Sequence, residues 1–346
     1  MGINHLTCLN LNSRILLCFC LFTLLSGASC HRNNKAKTNS NNLDLKSNLD
    51  TVPILPTSIV RNIKQDRKGT IWVTSWDGMF KYDGHSYINF TKDVSDARFF
   101  SVLEDRKGNY WFSTVGSGVY YFNGDSFQQY TTKDGLTSNV VMEMMEATDK
   151  TIWFSTENGV SKYDGHTFQN FSELHKLLHT EVYSIVEDHN GHIWFGTKEG
   201  IGIYDGEKIS ELKHEGKSFE NVRIIIKDKN NHMWFGGNDG LWLYNDGQFK
   251  NYSTSFTGYI YQDHAGNILT SSTNQTTVKS IANNQQKSNF HSWKLSRYPI
   301  NKKNEIDSIP RIIQSNEDMI FGILEDRDGV IWYGTLNGVK RIPAKN

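Results

Sequence analysis

The chain has 346 residues, with 37 basic and 37 acidic side chains and a formal net charge of zero. This balance excludes a strong electrostatic attraction to nucleic acid or to an anionic membrane surface. Aromatic residues make up 12% of the chain and only 5 residues are proline. That composition excludes a disordered protein and favours a globular domain rich in β-strand.

The first 29 residues have the pattern of an export signal. Arg14 precedes an apolar run over 15–25, and small residues then lead to Cys30. The run is too short for a membrane-spanning helix, which needs about 20 residues. A cysteine directly after small residues resembles a bacterial lipoprotein cleavage site, and no later cysteine could pair with Cys30. We therefore predict a signal peptide over 1–29 and a lipid on Cys30, with ordinary cleavage near residue 28 or 29 as the alternative.

A polar segment follows the signal. Ala36 is the only apolar residue between 31 and 42, a composition that cannot bury a core. We predict a flexible tether over 30–42 and a folded domain over 43–346. We expect an exported protein, with the lipid on Cys30 holding the domain at a bacterial membrane that faces the periplasm or the cell surface.

The folded part repeats with a period of about 40 residues. A phrase ending in tryptophan recurs with that residue at 72, 111, 153, 194, 234 and 332. In the unit around Trp194, strand-forming runs at 182–186, 193–197, 201–204 and 208–212 alternate with turns rich in Gly, Asp and Asn. Four antiparallel strands in each such period are typical of a β-propeller blade.

A seventh, degenerate unit lies between Trp234 and Trp332. The segment 263–269 keeps the Asp and Gly of the turn but has Leu269 in place of tryptophan. Residues 285–318 are more polar than the other connections, which predicts a long loop before the last unit. We therefore predict an all-β fold, a seven-bladed β-propeller of four-stranded antiparallel blades with a degenerate sixth blade.

The last unit has only three strands before the chain ends. An alternating apolar segment, 43–55, precedes the first unit. We predict that this N-terminal segment supplies the missing strand and closes the ring, because closure removes exposed sheet edges.

The sequence of the repeat is similar to that of a known repeat family. Residues 182–205 read Val-x-Ser-Ile-x-Glu-Asp-x-x-Gly-x-Ile-Trp-Phe-Gly-Thr-x-x-Gly-Ile-x-x-Tyr-Asp, which resembles the two-component regulator propeller repeat. The resemblance extends over about 43–346. In that family the repeats form the exported sensor portion of hybrid histidine kinases, often tied to glycan utilisation. This chain shows no later transmembrane segment, kinase or receiver domain, so the resemblance implies an exported ligand-recognition propeller that stands alone.

A second, weaker resemblance is to the streptogramin (virginiamycin B) lyases, which are also seven-bladed and have histidine and Mg²⁺ in their site. Their Trp-Phe-Thr-Glu stretch is not matched here. The corresponding stretches are 153–156 and 194–197.

Two sets of equivalent positions vary in chemistry from blade to blade and are therefore free to recognise a ligand. The first ring lies 11 residues before each tryptophan position and consists of Arg61, Phe100, Met142, Tyr183, Arg223, Gly258 and Phe321. The second ring lies four residues after it and consists of Trp76, Val115, Glu157, Lys198, Asn238, Thr273 and Leu336. In propeller topology both rings should open on one face around the central channel.

Nine residues of these rings are the candidate ligand-binding residues. Aromatic faces stack on the apolar faces of sugars, and arginine binds carboxylates with two parallel hydrogen bonds. The alternative is that they are ordinary rim residues of a scaffold. The nine are Arg61, Trp76, Phe100, Glu157, Tyr183, Lys198, Arg223, Asn238 and Phe321.

These observations favour a non-enzymatic, monomeric sensor-type lipoprotein that binds a glycan or an anionic small molecule at the channel mouth. We expect no cofactor, no metal and no catalytic residue, because no Ser/His/Asp or Cys/His arrangement can be placed. One alternative is a protein-interaction scaffold of the envelope, acting through the same face or through 285–318. The other is a metal-dependent lyase-type enzyme that uses His175 and His179 near the channel.

Overall fold

The computed structural model describes residues 55–171, 181–273, 292–303 and 305–344. Within these ranges all regular secondary structure is β-strand, arranged as seven antiparallel sheets. The same residues contain no helix that could cross a membrane. The sheets follow one another along the chain as the seven blades of a propeller, so the predicted fold class is confirmed.

The strands run from the innermost to the outermost position in each blade. Those of blades one to three are β1 (Val60–Gln65), β2 (Ile71–Ser75), β3 (Gly78–Tyr82), β4 (Tyr87–Asn89), β5 (Phe99–Glu104), β6 (Tyr110–Thr114), β7 (Val119–Phe122), β8 (Phe127–Tyr130), β9 (Val141–Glu146), β10 (Ile152–Thr156), β11 (Gly159–Tyr163) and β12 (Phe168–Asn170). Those of blades four and five are β13 (Val182–Glu187), β14 (Ile193–Thr197), β15 (Ile201–Tyr204), β16 (Ile209–His214), β17 (Lys217–Ser218), β18 (Ile224–Lys227), β19 (Met233–Gly237), β20 (Gly240–Asn245) and β21 (Gln248–Ser253). Those of blades six and seven are β22 (Thr257–Gln262), β23 (Ile268–Thr273), β24 (Trp293–Tyr298), β25 (Arg311–Asn316), β26 (Ile323–Glu325), β27 (Ile331–Thr335) and β28 (Gly338–Ile342).

The innermost strands form the wall of the central channel. Each packs against the innermost strand of the next blade, and β26 packs against β1, which closes the ring. Glycine allows the close approach at this junction. A Cβ on Gly334 would lie 2.2 Å from the carbonyl oxygen of Val60, and a Cβ on Gly322 would lie 2.8 Å from Cα of Asn62.

Blades four and seven depart from the four-stranded pattern. Blade four gains the short strand β17, and blade seven has three strands among the described residues. The predicted closing strand over 43–55 lies outside those residues except for Leu55, which is exposed and not part of a strand. A Cβ on Gly338 would lie 2.4 Å from the Pro56 carbonyl oxygen, as one on Gly240 would lie 1.8 Å from that of Ser253 at the end of β21. The chain entering blade one therefore passes beside β28 where a fourth strand would end.

The predicted long loop over 285–318 is wrong for the described part of that range. Residues 293–298 and 311–316 form β24 and β25, the third and fourth strands of blade six. The extra length lies instead between β23, which ends at Thr273, and β24, which begins at Trp293. Trp293, Leu295 and Tyr298 are buried, so apolar contacts hold β24 in the sheet although its sequence lacks the repeat phrase.

The aspartate and tryptophan of the repeat form a buried hydrogen bond. In five blades the indole Nε1 donates to the aspartate six residues earlier, at 2.6–3.2 Å. In blade three Ala147 replaces the aspartate, and Trp153 donates to Thr151 Oγ1 at 3.1 Å. In blade six Leu269 is fully buried at the tryptophan position. The phrase that recurs most clearly is therefore structural, because its polar atoms are used within the blade.

Turns of neighbouring blades are also bonded to each other. At six of the seven steps between blades, as far as the described residues show, a Glu or Gln ending an innermost strand accepts a backbone N–H from the preceding blade. One of these bonds joins the last blade to the first, from the Arg327 N–H to Gln65 Oε1 at 3.0 Å. These bonds help to hold the channel wall in place beneath the candidate site.

Candidate functional site

A β-bulge marks the first-ring position. In blades one, two, three, four and six the pairing register slips at residues 61, 100, 142, 183 and 258. In blade five the equivalent residue, Arg223, directly precedes the innermost strand, and in blade seven Phe321 lies two residues before it. A bulge leaves one residue unpaired and turns its side chain away from the regular alternation. The blades therefore present this position to the channel.

All seven first-ring residues line one cavity at the channel mouth, with a volume of about 360 Å³. Residues next to them in sequence complete its wall, which is mostly apolar with a few polar groups, as in many small-molecule sites. The complete lining is Arg61, Asn62, Phe100, Ser101, Met142, Glu143, Tyr183, Arg223, Ile224, Phe256, Gly258, Tyr259, Met319, Ile320 and Phe321.

Arg61 is clamped between aromatic rings. Its guanidinium carbon lies 4.3 Å from the ring centre of Phe321 and 5.2 Å from that of Phe100. Its Nε is buried and has no hydrogen-bond partner. Burial, together with the positive charge of Arg223, lowers the pKa of Arg61 to about 10. Arg61 thus stays charged at neutral pH while holding an unused donor.

Arg223 is stacked in the same way, with its guanidinium carbon 4.1 Å from the ring centre of Tyr183. The Tyr183 hydroxyl donates a hydrogen bond to Glu181. Burial and this bond raise the pKa of Tyr183 to about 12, so the phenol is neutral at physiological pH. Neither Arg61 nor Arg223 takes part in the ion pairs within 4 Å that the described residues form. The mouth therefore has two cations without a carboxylate partner at that range.

A second set of polar groups, the inner level, consists of Asn62, Glu143 and Tyr259, each directly after a first-ring residue. Asn62 is only 7% exposed, and its Oδ1 is buried without a partner. Glu143 Oε2 accepts the N–H of Ile185 at 3.2 Å. Burial raises the pKa of the Glu143 carboxyl, although the positive charge of Lys64 opposes this. Burial and the Glu143 charge likewise raise the pKa of Tyr259.

The sequence interpretation did not include the inner level. Aligning the repeats would have shown the signal, since Glu143 and Tyr259 occupy the position where blades two and four have Ser101 and Ser184. A carboxylate in place of a serine in a channel-facing strand is a departure that packing alone does not explain.

The second ring lies beside the first on the same end of the blades. The backbone N–H of Trp76 donates to Ile59, that of Glu157 to Val140, and equivalent bonds recur in blades two and six. Each acceptor lies two residues before a first-ring residue. The second-ring residues therefore border the start of the innermost strands.

The second-ring candidates fall into two groups. Lys198 and Asn238 line an open groove of about 930 Å³ that also contains Tyr183 and Arg223. Trp76 is instead covered by Arg98, whose guanidinium carbon lies 4.7 Å from its ring centre. Glu157 accepts a hydrogen bond from Ser138 Oγ at 3.0 Å. Trp76 and Glu157 line neither the channel-mouth cavity nor the groove.

Metal ligands are not clustered in the part of the chain that the structure describes, where no group of three His, Cys, Asp or Glu side chains could hold an ion. His175 and His179, the histidines of the lyase hypothesis, lie outside that part. The predicted signal peptide, tether and lipidated Cys30 lie outside it as well.

Two segments of the chain, 176–199 and 314–337, match the model of the two component regulator propeller. The resemblance stated from the sequence is thus confirmed. Comparison with curated proteins gives no match of significance.

Solved structures share the fold. The extracellular domain of a putative hybrid two component system from B. thetaiotaomicron is 20% identical, with a TM-score of 0.67 over 84% of this chain and 39% of that one. The extracellular domain of a putative one component system from the same organism is 22% identical, with a TM-score of 0.63 over 82% of this chain and 38% of that one. The chain therefore spans well under half of either domain.

The lyase propeller also shares the fold. Virginiamycin B lyase from Staphylococcus aureus is 14% identical, with a TM-score of 0.63 over 83% of this chain and 95% of that one. At such identities these likenesses concern the fold alone, so the function must be argued from the site.

Proposed function

Because the chain carries two-component regulator propeller repeats, we propose that it is a non-enzymatic recognition propeller whose channel mouth binds an anionic small molecule, such as a sugar acid, a sugar phosphate or the charged end of a glycan. One observation carries the proposal. Arg61 and Arg223 share one cavity, each stacked on at least one aromatic ring and neither paired with a carboxylate among the described residues.

The chemistry of the mouth supports this class of ligand. Two unneutralised cations in one cavity repel each other, and the repulsion contributes to the lowered pKa of Arg61. A bound anion would relieve that repulsion and satisfy the buried Nε of Arg61. Stacking fixes each guanidinium plane, which reduces the side-chain entropy lost on binding. Phe100, Phe321 and Tyr183 offer rings beside the arginines for the apolar face of a sugar.

The test is a thermal-shift screen with matched ligand pairs. A ligand that binds only the folded state raises the melting temperature by mass action. Glucuronate or glucose 6-phosphate should raise it, whereas glucose at the same concentration should not. A screen in which no sugar acid, sugar phosphate or acidic oligosaccharide shifts the melting temperature would overturn the proposal.

Charge-removing variants locate the binding. Arg61→Met and Arg223→Met keep an unbranched side chain against the rings, and each should weaken the Kd by about 10- to 100-fold, since a hydrogen bond to a charged group contributes about 1.5–3 kcal/mol. Arg341→Met is the matched control. Arg341 also stacks on two rings, those of Tyr82 and Trp332, but it lies on the outer strand β28. Equal losses in all three variants would argue against the channel mouth.

Export and lipidation belong to the same proposal. A signal peptide over 1–29 would deliver the chain to the envelope, and a lipid on Cys30 would anchor it. The wild-type chain should partition into the detergent phase of a Triton X-114 extract, and Cys30→Ala should move it to the aqueous phase. Detergent partitioning that is unchanged in Cys30→Ala would contradict lipidation.

A protein partner at the same face is the alternative function, favoured by the open groove with Lys198, Lys217, Glu199 and Asp239 among its lining residues. A folded peptide or loop of mixed charge would complement such a surface. Salt-sensitive capture of one envelope protein, lost on reversing Lys198 and retained in Arg61→Met, would favour this function. Turnover of a bound ligand that stops on chelation would favour the lyase alternative instead.

A further inference from the structure

The channel-mouth cavity has polar groups of opposite character at two successive positions of the repeat, contributed by different blades. First-ring residues contribute the cations Arg61 and Arg223, whereas the following positions contribute the hydrogen-bond acceptors Asn62 and Glu143. No ion pair joins Glu143 to either arginine. The positive and the acceptor ends of the cavity are therefore both unneutralised within the described residues.

The side-chain oxygen of Asn62 lacks a hydrogen-bond donor. Its side chain is 7% exposed, and its Oδ1 has no partner. A buried acceptor left without a partner costs about 1–3 kcal/mol, and such groups in native structures are rare. Its position in the cavity wall means that a donor on a bound molecule could satisfy it.

A positive charge beside Glu143 would stabilise its carboxylate. Glu143 is half-buried in the cavity wall, and the protein gives its carboxyl the Ile185 N–H and the Ser184 hydroxyl rather than a cation within 4 Å. Lys64 acts on it only at longer range. In surroundings of low polarity an opposite charge stabilises a carboxylate far more than it does in water. Among common donors, an ammonium group supplies both this charge and three N–H bonds.

We infer, building on the proposed function, that the ligand is a zwitterion of the amino-sugar type, with its anionic group toward Arg61 and Arg223 and its ammonium group toward Glu143 and Asn62. A hydroxyl at the inner position would offer one donor and would bring its own lone pairs toward a carboxylate. The inner level is thus the part of the site that distinguishes an amino group from a hydroxyl, while the arginines select for the anion.

The test uses two pairs of sugars that differ only in an amino group replacing a hydroxyl, namely D-glucosamine 6-phosphate with D-glucose 6-phosphate, and D-glucosaminate with D-gluconate. Calorimetric titrations of the full chain at neutral pH should give a Kd about tenfold lower for the amino member of at least one pair, a step of about 1.4 kcal/mol. Glu143→Gln keeps the size and an acceptor but loses the charge, so it should abolish the preference. Arg341→Met should retain it.

The outcomes separate this inference from the proposed function. No preference in either pair, including the case in which no member of either pair binds, overturns the inference. A preference that survives in Glu143→Gln, with the variant melting cooperatively, overturns it too. The proposed function fails separately, when no anion in the wider thermal-shift screen binds.

Discussion

Replacing Asp228 with alanine tests whether the aspartate–tryptophan hydrogen bond of the repeat stabilises the blade. Its Oδ2 accepts the indole Nε1 of Trp234 at 2.9 Å and lies 3.1 Å from His232 Nδ1. Its Oδ1 accepts the backbone N–H groups of Asn230 and His232 at 2.8 and 2.9 Å. Trp234 is 0% exposed, so water cannot replace the lost acceptor at the indole.

The expected loss of stability depends on which of these hydrogen-bond donors water can reach once the carboxylate is removed. The unsatisfied indole N–H costs about 1–3 kcal/mol, and each turn N–H, which water can partly satisfy, adds about 0.5–1 kcal/mol. We therefore expect Asp228→Ala to lower the free energy of unfolding by about 3 kcal/mol, or the melting temperature by about 6 °C at roughly 2 °C per kcal/mol for a domain of this size.

The residues of blade three suggest a second substitution that should compensate for the loss of Asp228. There Ala147 and Thr151 occupy the positions of Asp228 and His232, and Trp153 donates to the threonine hydroxyl. The double variant Asp228→Ala/His232→Thr should therefore recover part of the loss. Denaturant unfolding, followed by tryptophan fluorescence, measures both effects. A single variant within about 0.5 kcal/mol of wild type, the range of neutral surface substitutions, would refute the reasoning, as would a double variant no more stable than the single one.

Two further changes test the channel wall and the turns. Because burial raises the pKa of the Glu143 carboxyl in the folded state, its contribution to stability is fully present below the unfolded pKa and is lost as pH rises through the folded pKa. Glu143→Gln should thus have a higher melting temperature than the wild type at pH 8. This difference in melting temperature should shrink toward about pH 4, near the ordinary glutamate pKa. A difference that does not change with pH would contradict this. Gly240 has a φ of 91°, and a Cβ there would lie 1.8 Å from the Ser253 carbonyl oxygen. In a denaturant titration, Gly240→Ala should therefore lower the free energy of unfolding by more than about 1 kcal/mol. Gly247→Ala is the control and should lower it less, because the space around Gly247 is open.

The blade number and the first ring could be predicted from the sequence because tryptophan and its aspartate set the register of each blade. Counting from Trp72 or Trp194 reaches Arg61 or Tyr183, and both line the cavity. The inner level was missed for a physical reason. Regular alternation would point the residue after a channel-facing one into the sheet packing, but the bulge at 61 brings Arg61 and Asn62 to the same cavity.

Blade six shows a second limit of the repeat pattern. The third and fourth strands of a blade carry less of the phrase than the first two, so the inserted length after Thr273 displaced β24 and β25 from their expected positions. Trp293 and Leu295 pack into the core without any turn signal at the usual spacing. The partner contacts of Trp76, which is covered by Arg98, likewise depend on a loop residue that no repeat position specifies.

The central claim is that Arg61 and Arg223 together form an anion site at the channel mouth. Isothermal titration of glucuronate and glucose 6-phosphate into the wild-type protein and into Arg61→Met/Arg223→Met tests it most directly. We predict saturable binding of at least one of these anions with one site per chain in the wild type, and no measurable binding in the double variant. Titrations in which neither anion binds the wild-type protein, or in which the double variant binds as tightly as the wild type, would contradict the claim.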